Sequence, residues 1–132
     1  MKYNILVIEE SSHTLRGRIV SALAREGFGV ATAGSSQDMV STLDEFKPQL
    51  IILGEGLPID SFDACSLLRQ MVNVPILMVG TVPSYEAWSR VVDARADCYL
   101  PKPFGYLELV AIVKALLRRY EWTREKKQWA KE

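Results

Sequence analysis

The sequence has few cysteines, no net charge and no long hydrophobic run. Cys65 and Cys98 are its only cysteines, and they lack metal-ligand spacing, which favours buried reduced thiols over a disulfide. Sixteen basic and sixteen acidic residues cancel, so no global charge draws the chain to nucleic acid or an anionic membrane. No apolar run approaches the ~18 residues of a membrane span, and "MKYNILVIEE" turns acidic too early for a signal peptide. We therefore expect a cytoplasmic protein that binds neither membrane nor, through this domain, nucleic acid.

Charge is distributed unevenly along the chain. From Arg118 onward there are six basic and three acidic residues, a net charge of +3, which leaves the rest at −3. The 132 residues are 48% hydrophobic, which fits one compact domain with a single core. The tail "RRYEWTREKKQWAKE" has high helix propensity and no glycine or proline. We expect a domain over residues 1–119, a basic helical tail or linker over residues 120–132, and a last helix that continues beyond Arg119.

Two periodicities alternate along the chain. The apolar runs "NILVI", "QLIIL" and "VPILMV" are typical of strands buried on both faces, as in parallel sheets covered by helices. Apolar residues at helical spacing follow each strand, and the first such stretch has Ser11 or Ser12 as N-cap and Gly27 as C-cap. Strand and helix alternate five times. The pattern predicts a single α/β domain with a flavodoxin-like, doubly wound sheet of five parallel strands, ordered 2-1-3-4-5, and five helices.

Candidate functional residues follow the strands at one edge of this predicted sheet. In open parallel sheets, ligands bind beyond the carboxyl ends of the strands, where the strand order reverses. That point lies between the first and third strands. Glu9 and Glu10 follow the first strand, and Gly54 follows the third.

Four segments carry a resemblance to a known family. They are the acidic pair Glu9 and Glu10, the turn "GLP" at 56–58, "ADCYLPKPF" at 96–104 and "LVAIVKALLRR" in the last helix. Over about residues 3–119 the chain resembles the receiver domain of bacterial response regulators. "YLPKPF" is the most specific of these motifs.

The resemblance implies a phosphorylation site. In that family an acidic pair and an aspartate at the end of the third strand bind Mg²⁺, and the aspartate accepts a phosphoryl group. A serine or threonine after the fourth strand and the lysine of "KPF" contact the phosphate, and an aromatic residue in the fifth strand reports the change. Lys102 and Tyr99 match the lysine and the switch aromatic.

Several positions depart from the family pattern. The acceptor position falls on Gly54, and the hydroxyl position falls on Gly80. Arg95 replaces an expected glycine, and two glutamates serve Mg²⁺ poorly because octahedral coordination needs short, fixed distances. The resemblance thus implies a degenerate pocket without catalytic residues, cofactor or metal, except for weak Mg²⁺ binding at Glu10. Its members are Glu9, Glu10, Gly54, Glu55, Gly80, Thr81 and Lys102.

Glu55 and Thr81 each lie one residue after the position where the family has its acceptor and its hydroxyl. A shift of one residue in a strand turns a side chain to the opposite face, so we expect Glu55 to point away from Lys102. Loss of phosphorylation is therefore favoured, and Lys102 is expected to pair with Glu9 or Glu10. A conventional response regulator that uses another carboxylate, such as Glu55, is the alternative.

The expected function is signal transduction through protein contacts, not enzymatic catalysis. The surface implied by the resemblance consists of the fourth helix, fifth strand and fifth helix, and it would bind a protein partner or a second copy, with a histidine kinase or an output domain as further partners. Trp88 fits either the core or this surface. Tyr99 either acts as a rotameric switch or only packs against a neighbouring helix. The charged candidates either form ion pairs across the interface or only keep the outer face of a helix exposed to solvent. The interface candidates are Trp88, Arg90, Asp93, Asp97, Lys114 and Arg118.

The loop "EESSHTLRG" raises a minor alternative, a flavodoxin-like cofactor-binding protein. Hydroxyl groups and helix N-terminal amides suit a phosphate. Glu9 and Glu10 stand directly before the loop, however, and would repel an anion, while the loop lacks a glycine that lets the backbone curl around it. His13 is interpreted as a surface histidine.

Overall fold

Strands and helices alternate through the described residues. The computed structural model describes residues 3–34 and 36–131, with side-chain surroundings for all of these except 36, 37 and 125–131. The serine pair that begins "SSQDMVSTLDEFKP" predicts the N-cap of the second helix, and Ser35 of that pair lies outside the described residues. The elements are β1 (Asn4–Ile8), α1 (His13–Arg25), β2 (Gly29–Thr32), α2 (Ser36–Phe46), β3 (Leu50–Leu53), α3 (Ser61–Arg69), β4 (Ile76–Gly80), α4 (Ser84–Ala94), β5 (Cys98–Pro101) and α5 (Tyr106–Lys131).

The five strands form one parallel sheet in the order β2-β1-β3-β4-β5. This confirms the predicted flavodoxin-like topology. β1 pairs with β3 in a register that sets Ile8 opposite Leu53. Because the two strands end level with each other, the residues that follow them are brought together at the point where the strand order reverses.

Helices cover both faces of the sheet. α1 and α5 pack on one face, where Ile19, Leu23 and Val113 are fully buried together with Ile5 and Val7 of β1. α2, α3 and α4 pack on the other face against the alternate strand residues, which include Leu6, Ile8, Ile51 and Leu53. The continuous apolar runs are explained by this burial on both sides.

The N-cap of α1 follows the sequence prediction, its C-cap lies one residue earlier than predicted, and α5 is long. The Ser12 hydroxyl accepts a hydrogen bond from the Leu15 amide at 3.1 Å. The C-cap of α1 is Glu26, one residue before the predicted Gly27, which follows with φ +89°, a conformation that glycine adopts without strain. α5 continues to Lys131, as expected from the tail's helix propensity. Both cysteines are free thiols, and Cys98 is only half-buried. Within the described part of the chain, no helix has the length and apolar character needed to cross a membrane.

Asp97 connects four elements of its own chain, a role that the sequence did not indicate. Its Oδ2 atom accepts from the Ile76 amide at 2.8 Å and from Arg69 Nη2 at 2.7 Å. Arg69 also donates to the carbonyl of Arg95, which ends α4 in a left-handed conformation (φ 62°). The Asp97 carboxylate is therefore engaged within its own chain, where it joins the start of β4 to α3, α4 and β5.

Replacing Asp97 by Ala should lower the free energy of unfolding by about 1 to 3 kcal/mol, because the Ile76 amide and the Arg69 guanidinium lose a charged acceptor. Urea unfolding measures the loss. Asp93→Ala, an exposed carboxylate on α4, is the matched control and should change stability by less than about 0.5 kcal/mol. Equal effects of the two substitutions would contradict the bracing role of Asp97.

Candidate functional site

Lys102 lies between two carboxylates at the carboxyl edge of the sheet. Its Nζ atom is 2.8 Å from Glu9 Oε1 and 3.1 Å from Glu55 Oε1. Lys102 follows β5, Glu9 follows β1 and Glu55 comes two residues after β3. The predicted pairing of Lys102 with Glu9 is confirmed. These three side chains are here called the Lys102 triad.

Glu9 is fully buried and ionised. Its side chain has 0% exposure, and its Oε2 atom accepts from both the amide and the hydroxyl of Ser11 at 2.6 Å. The Glu55 amide donates to Oε1 at 3.3 Å. Burial opposes ionisation, but the hydrogen bonds from Lys102, Ser11 and the Glu55 backbone outweigh it and lower the pKa of Glu9 below its ordinary value.

Glu55 points toward Lys102, so the expectation that it faces away was wrong. The strand rule assumed that β3 continues through residue 55, whereas β3 ends at Leu53. Gly56 then adopts φ +86°, which turns the backbone. The Glu55 carbonyl accepts from the amides of Glu10 and Ser11 at 2.8 and 3.0 Å. These bonds tie the β3 loop to the β1 loop and direct the Glu55 side chain into the pocket.

The second oxygen of Glu55 is held by Thr81. Glu55 Oε2 accepts from the Thr81 amide and from the Thr81 hydroxyl, both at 2.9 Å. Burial raises the pKa of Glu55, but the two Thr81 bonds and Lys102 overcome this and lower it overall. Thr81 lies one residue after the position where the family has its hydroxyl, and it nevertheless contributes both its amide and its hydroxyl as donors in the pocket.

The two glycines leave room that neighbouring side chains fill. A Cβ atom at Gly54 would lie 2.5 Å from Glu9 Oε1. A Cβ atom at Gly80 would lie 2.8 Å from the Tyr99 hydroxyl and 3.1 Å from Glu55 Oε2. Any other residue at these positions would therefore displace a member of the present pocket.

Glu10 is separated from Lys102 by its own ion pair. Its Oε1 atom lies 2.9 Å from Arg16 Nη1, and the other end of that guanidinium lies 2.6 Å from His13 Nδ1. Arg16 was not among the sequence candidates, although its place one turn into α1 was a signal. Among the described residues, no group of three or more His, Cys, Asp or Glu side chains is arranged to hold a metal ion.

Tyr99 connects the pocket to the start of α4. Its hydroxyl donates to the Val82 carbonyl at 2.8 Å, and its ring stacks on Phe62 of α3 with centroids 6.1 Å apart. Burial and the nearby Glu55 charge raise the pKa of Tyr99. Together with the Thr81 bonds, this contact holds the loop between β4 and α4 at two successive residues.

Several candidate interface charges pair within the chain. Arg90 lies 2.8 Å from Asp60 and sits over the Phe62 ring at 4.2 Å. Lys114 lies 2.8 Å from Glu26 of α1. With Asp97 bound to Arg69, three of the predicted cross-interface charges have partners that the sequence did not indicate. Arg118 and Asp93 are exposed, and Trp88 is 73% exposed, which excludes its core alternative.

The loop proposed for a flavin phosphate is already occupied by protein. The Ser11 and Ser12 amides both donate to Glu9 Oε2, at 2.6 and 3.3 Å. An anion at this loop would have to displace a buried carboxylate, so the arrangement disfavours the flavodoxin-like alternative.

The chain has a doubly wound parallel sheet with acidic residues and one lysine at its carboxyl edge. This arrangement is typical of receiver-type α/β domains. The model of the response regulator receiver domain matches residues 5–114. The chain belongs to this family.

The chain is similar to transcriptional regulators of the family. It is 34% identical over 122 residues to the DNA-binding response regulator MtrA of Mycolicibacterium smegmatis, covering 92% of this chain and 53% of MtrA. It is 37% identical over 117 residues to the transcriptional regulatory protein PrrA of Mycobacterium tuberculosis, covering 87% and 50%. The chain thus spans about half the length of these curated relatives.

Solved structures agree on the fold. A CheY-like receiver domain protein from Methanospirillum hungatei has a TM-score of 0.82 at 20% identity, covering 93% of this chain and 99% of that one. NtrX from Brucella abortus has a TM-score of 0.87 at 20% identity, covering 98% of this chain and 30% of NtrX.

Replacing Lys102 by Met should lower the free energy of unfolding by about 1 to 3 kcal/mol at neutral pH, because two ionised carboxylates lose their shared cation. The pKa values of Glu9 and Glu55 are lowered below their ordinary value of 4.5, so the two ionised carboxylates stabilise the fold above pH 4.5. This contribution is lost as the pH falls through their pKa values in the folded protein. The deficit of the variant should therefore shrink below about pH 4.5. Urea unfolding across this pH range measures it.

Lys114→Met is the matched control, since it breaks the more exposed pair with Glu26. Its effect should stay within about 0.5 kcal/mol at every pH. A deficit for Lys102→Met that is equally small, or that does not change with pH, would contradict the structural role of the Lys102 triad.

Proposed function

We propose that this receiver domain signals through protein contacts without being phosphorylated. The observation that carries the proposal is the position of the Glu55 carboxylate. It contacts Lys102 Nζ and both donors of Thr81, and in the family a lysine and a hydroxyl residue at this edge contact the phosphate. Glu55 thus supplies from within the chain the negative charge that a phosphoryl group would bring.

The acceptor position gives further support. Gly54 has no nucleophile, and the space beside it is filled by Glu9, itself bound to Lys102 and Ser11. Phosphoryl transfer also needs a cation to neutralise developing charge. Glu10, the other member of the acidic pair, is engaged by Arg16. A domain with this pocket binds and relays rather than catalyses.

The pocket is connected to a candidate binding surface. Bonds from Thr81 to Glu55 and from Tyr99 to Val82 fix the loop that leads into α4. On α4, Tyr85, Trp88 and Val92 are 82%, 73% and 60% exposed. Their spacing places them on one helix face, and clustered aromatic residues are typical of protein interfaces. We infer that α4, with β5 and α5, forms the face that meets a partner.

The partner class follows from the relatives. MtrA is a DNA-binding response regulator and PrrA a transcriptional regulatory protein, and this chain matches about half of each. We therefore propose an output domain, a second receiver or a histidine kinase as the protein partner, acting in the cytoplasm. Residues 1–119 would form the receiver, and residues 120–132 a basic linker.

Conventional phosphorylation on Glu55 is the second candidate. The carboxylate lies beside Lys102 and Thr81, the environment that a phosphorylated side chain requires. Acceptance of a phosphoryl group by either oxygen of Glu55 would require that oxygen to give up its present contact with Lys102 or with Thr81.

Incubation with acetyl phosphate and Mg²⁺ should leave the intact mass of the protein unchanged, because no free acceptor stands at residue 54. Mass spectrometry reads this directly. A gain of one phosphoryl group that hydroxylamine removes would contradict the proposal, and its loss in a Glu55→Ala variant would establish the second candidate.

Glu55→Ala should release the loop between β4 and α4, because the amide and the hydroxyl of Thr81 both lose the carboxylate that accepts their hydrogen bonds. Amide hydrogen exchange of the segment 81–88 should accelerate by about tenfold, the equivalent of one charge-assisted hydrogen bond. Glu45→Ala, an exposed carboxylate on α2, is the control and should leave this segment unchanged. An unchanged exchange rate in Glu55→Ala would contradict the proposed connection between the pocket and α4.

A further inference from the structure

An apolar groove runs between α2 and α3, away from the α4 surface. It has a volume of about 260 Å³, and its lining includes Val40, Leu57, Ile59, Leu67, Leu68 and Met71. A second depression of about 450 Å³ shares Val40 and Met71 with it and extends along the two helices to Leu43 and Asp44. We refer to both together as the α2–α3 groove.

The groove exposes large apolar side chains to solvent. Val40, Ile59, Leu67 and Met71 are 55%, 46%, 52% and 50% exposed. Clustered apolar side chains of this kind mark interaction sites. An elongated apolar groove between two helices suits an amphipathic helix more than a compact ligand.

The segment that forms the groove is acidic. Residues 34–71 contain six acidic and two basic residues, a net charge of −4. Three of these charges are engaged elsewhere, because Glu55 binds Lys102, Asp60 binds Arg90 and Arg69 binds Asp97. Among the rest, the acidic residues Asp44, Glu45 and Asp63 and the basic residue Lys47 are exposed, so the rim carries an excess of negative charge.

The same chain contains a helical segment of opposite charge. Residues 118–131 include six basic and two acidic residues, a net charge of +4, together with two tryptophans. The segment is the last part of α5. Trp122 within it is 61% exposed. Basic charge combined with aromatic surface is the complement of an apolar groove with an acidic rim.

The segment cannot reach the groove of its own molecule. α5 packs with α1 on one face of the sheet, whereas α2 and α3 cover the other face. The helix continues without interruption to Lys131, so it does not turn back around the edge. The segment can therefore occupy this groove only on another molecule.

We propose that the α2–α3 groove binds the basic helical segment 118–131 of a second copy of this chain. The contact is reciprocal, so that each molecule of a two-fold dimer fills the groove of the other and no groove remains open to propagate the assembly. Apolar contact at the groove floor supplies affinity, and the charged rim sets the direction of the helix and makes the association sensitive to salt.

The test is sedimentation velocity of the full chain with variants in either partner surface. Leu67→Asp and, independently, Met71→Asp introduce charge into the groove, and the double variant Lys126→Glu/Lys127→Glu reverses charge in the segment. Each should weaken dimerisation by about tenfold or more, and high salt should weaken the wild-type dimer. Circular dichroism verifies that each variant is folded.

Two matched controls locate the effect. Ala24→Asp places the same charge on an exposed apolar residue of α1, outside both the groove and the α4 surface, and Arg25→Glu reverses an exposed charge on the same helix. Both should leave dimerisation unchanged. Wild-type protein that remains monomeric, or a loss of dimerisation with Ala24→Asp as large as with Leu67→Asp, would overturn the proposal.

Mixing the variants separates this arrangement from one in which two grooves face each other. Leu67→Asp keeps an intact segment and Lys126→Glu/Lys127→Glu keeps an intact groove, so their mixture should recover a heterodimer through one contact. If the grooves pair with each other, the segment variant would dimerise like the wild type, and the proposal would fail.

Zero-length carbodiimide cross-linking of mixed ¹⁴N and ¹⁵N protein gives an independent readout. Lysines of residues 126–131 in one copy should join carboxylates of residues 38–45 or 63 in the other. Cross-links confined to single molecules would contradict the proposal.

Discussion

The arrangement of this domain depends on one lysine shared by two carboxylates. Lys102 Nζ lies 2.8 Å from Glu9 and 3.1 Å from Glu55, so a single cation joins the ends of β5, β1 and the loop after β3. Glu9 is fully buried, and a buried charge is tolerated only when it is paired and hydrogen-bonded. Donors from Ser11 satisfy its second oxygen. The triad is therefore a fixed structural unit and also fills the place where the family performs phosphoryl chemistry.

The glycines at positions 54 and 80 explain how the pocket can close on itself. Each removes a side chain from the crevice, and Glu55 and Thr81, one residue further along, enter it and bond to each other. The charge lost at residue 54 is thus regained at residue 55. Because Thr81 and Val82 are held from the pocket side by Glu55 and Tyr99, the loop before α4 has its position set by the chain itself. This would be the physical basis of the proposed signalling without phosphorylation.

Much of the fold was predictable because it depends on local patterns. Buried apolar runs indicated the strands, Ser12 and Gly27 marked the ends of α1, and parallel topology alone brought Lys102 to Glu9. The direction of Glu55 was not predictable, because strand alternation stops at Leu53 and the turn depends on the positive φ of Gly56. The partners of the interface charges were missed for another reason. Pairs such as Lys114 with Glu26, 88 residues apart, depend on tertiary contacts that leave no local signal.

The most direct test of the central claim is a crystal structure of the chain grown with Mg²⁺ and beryllofluoride, a phosphoryl analogue. The account predicts that the pocket excludes the analogue, and that the Glu55 carboxylate stays within hydrogen-bond distance of Lys102 Nζ and of both Thr81 donors, as it is here. Density for beryllofluoride between Lys102 and Thr81, with Glu55 turned out to solvent, would contradict it.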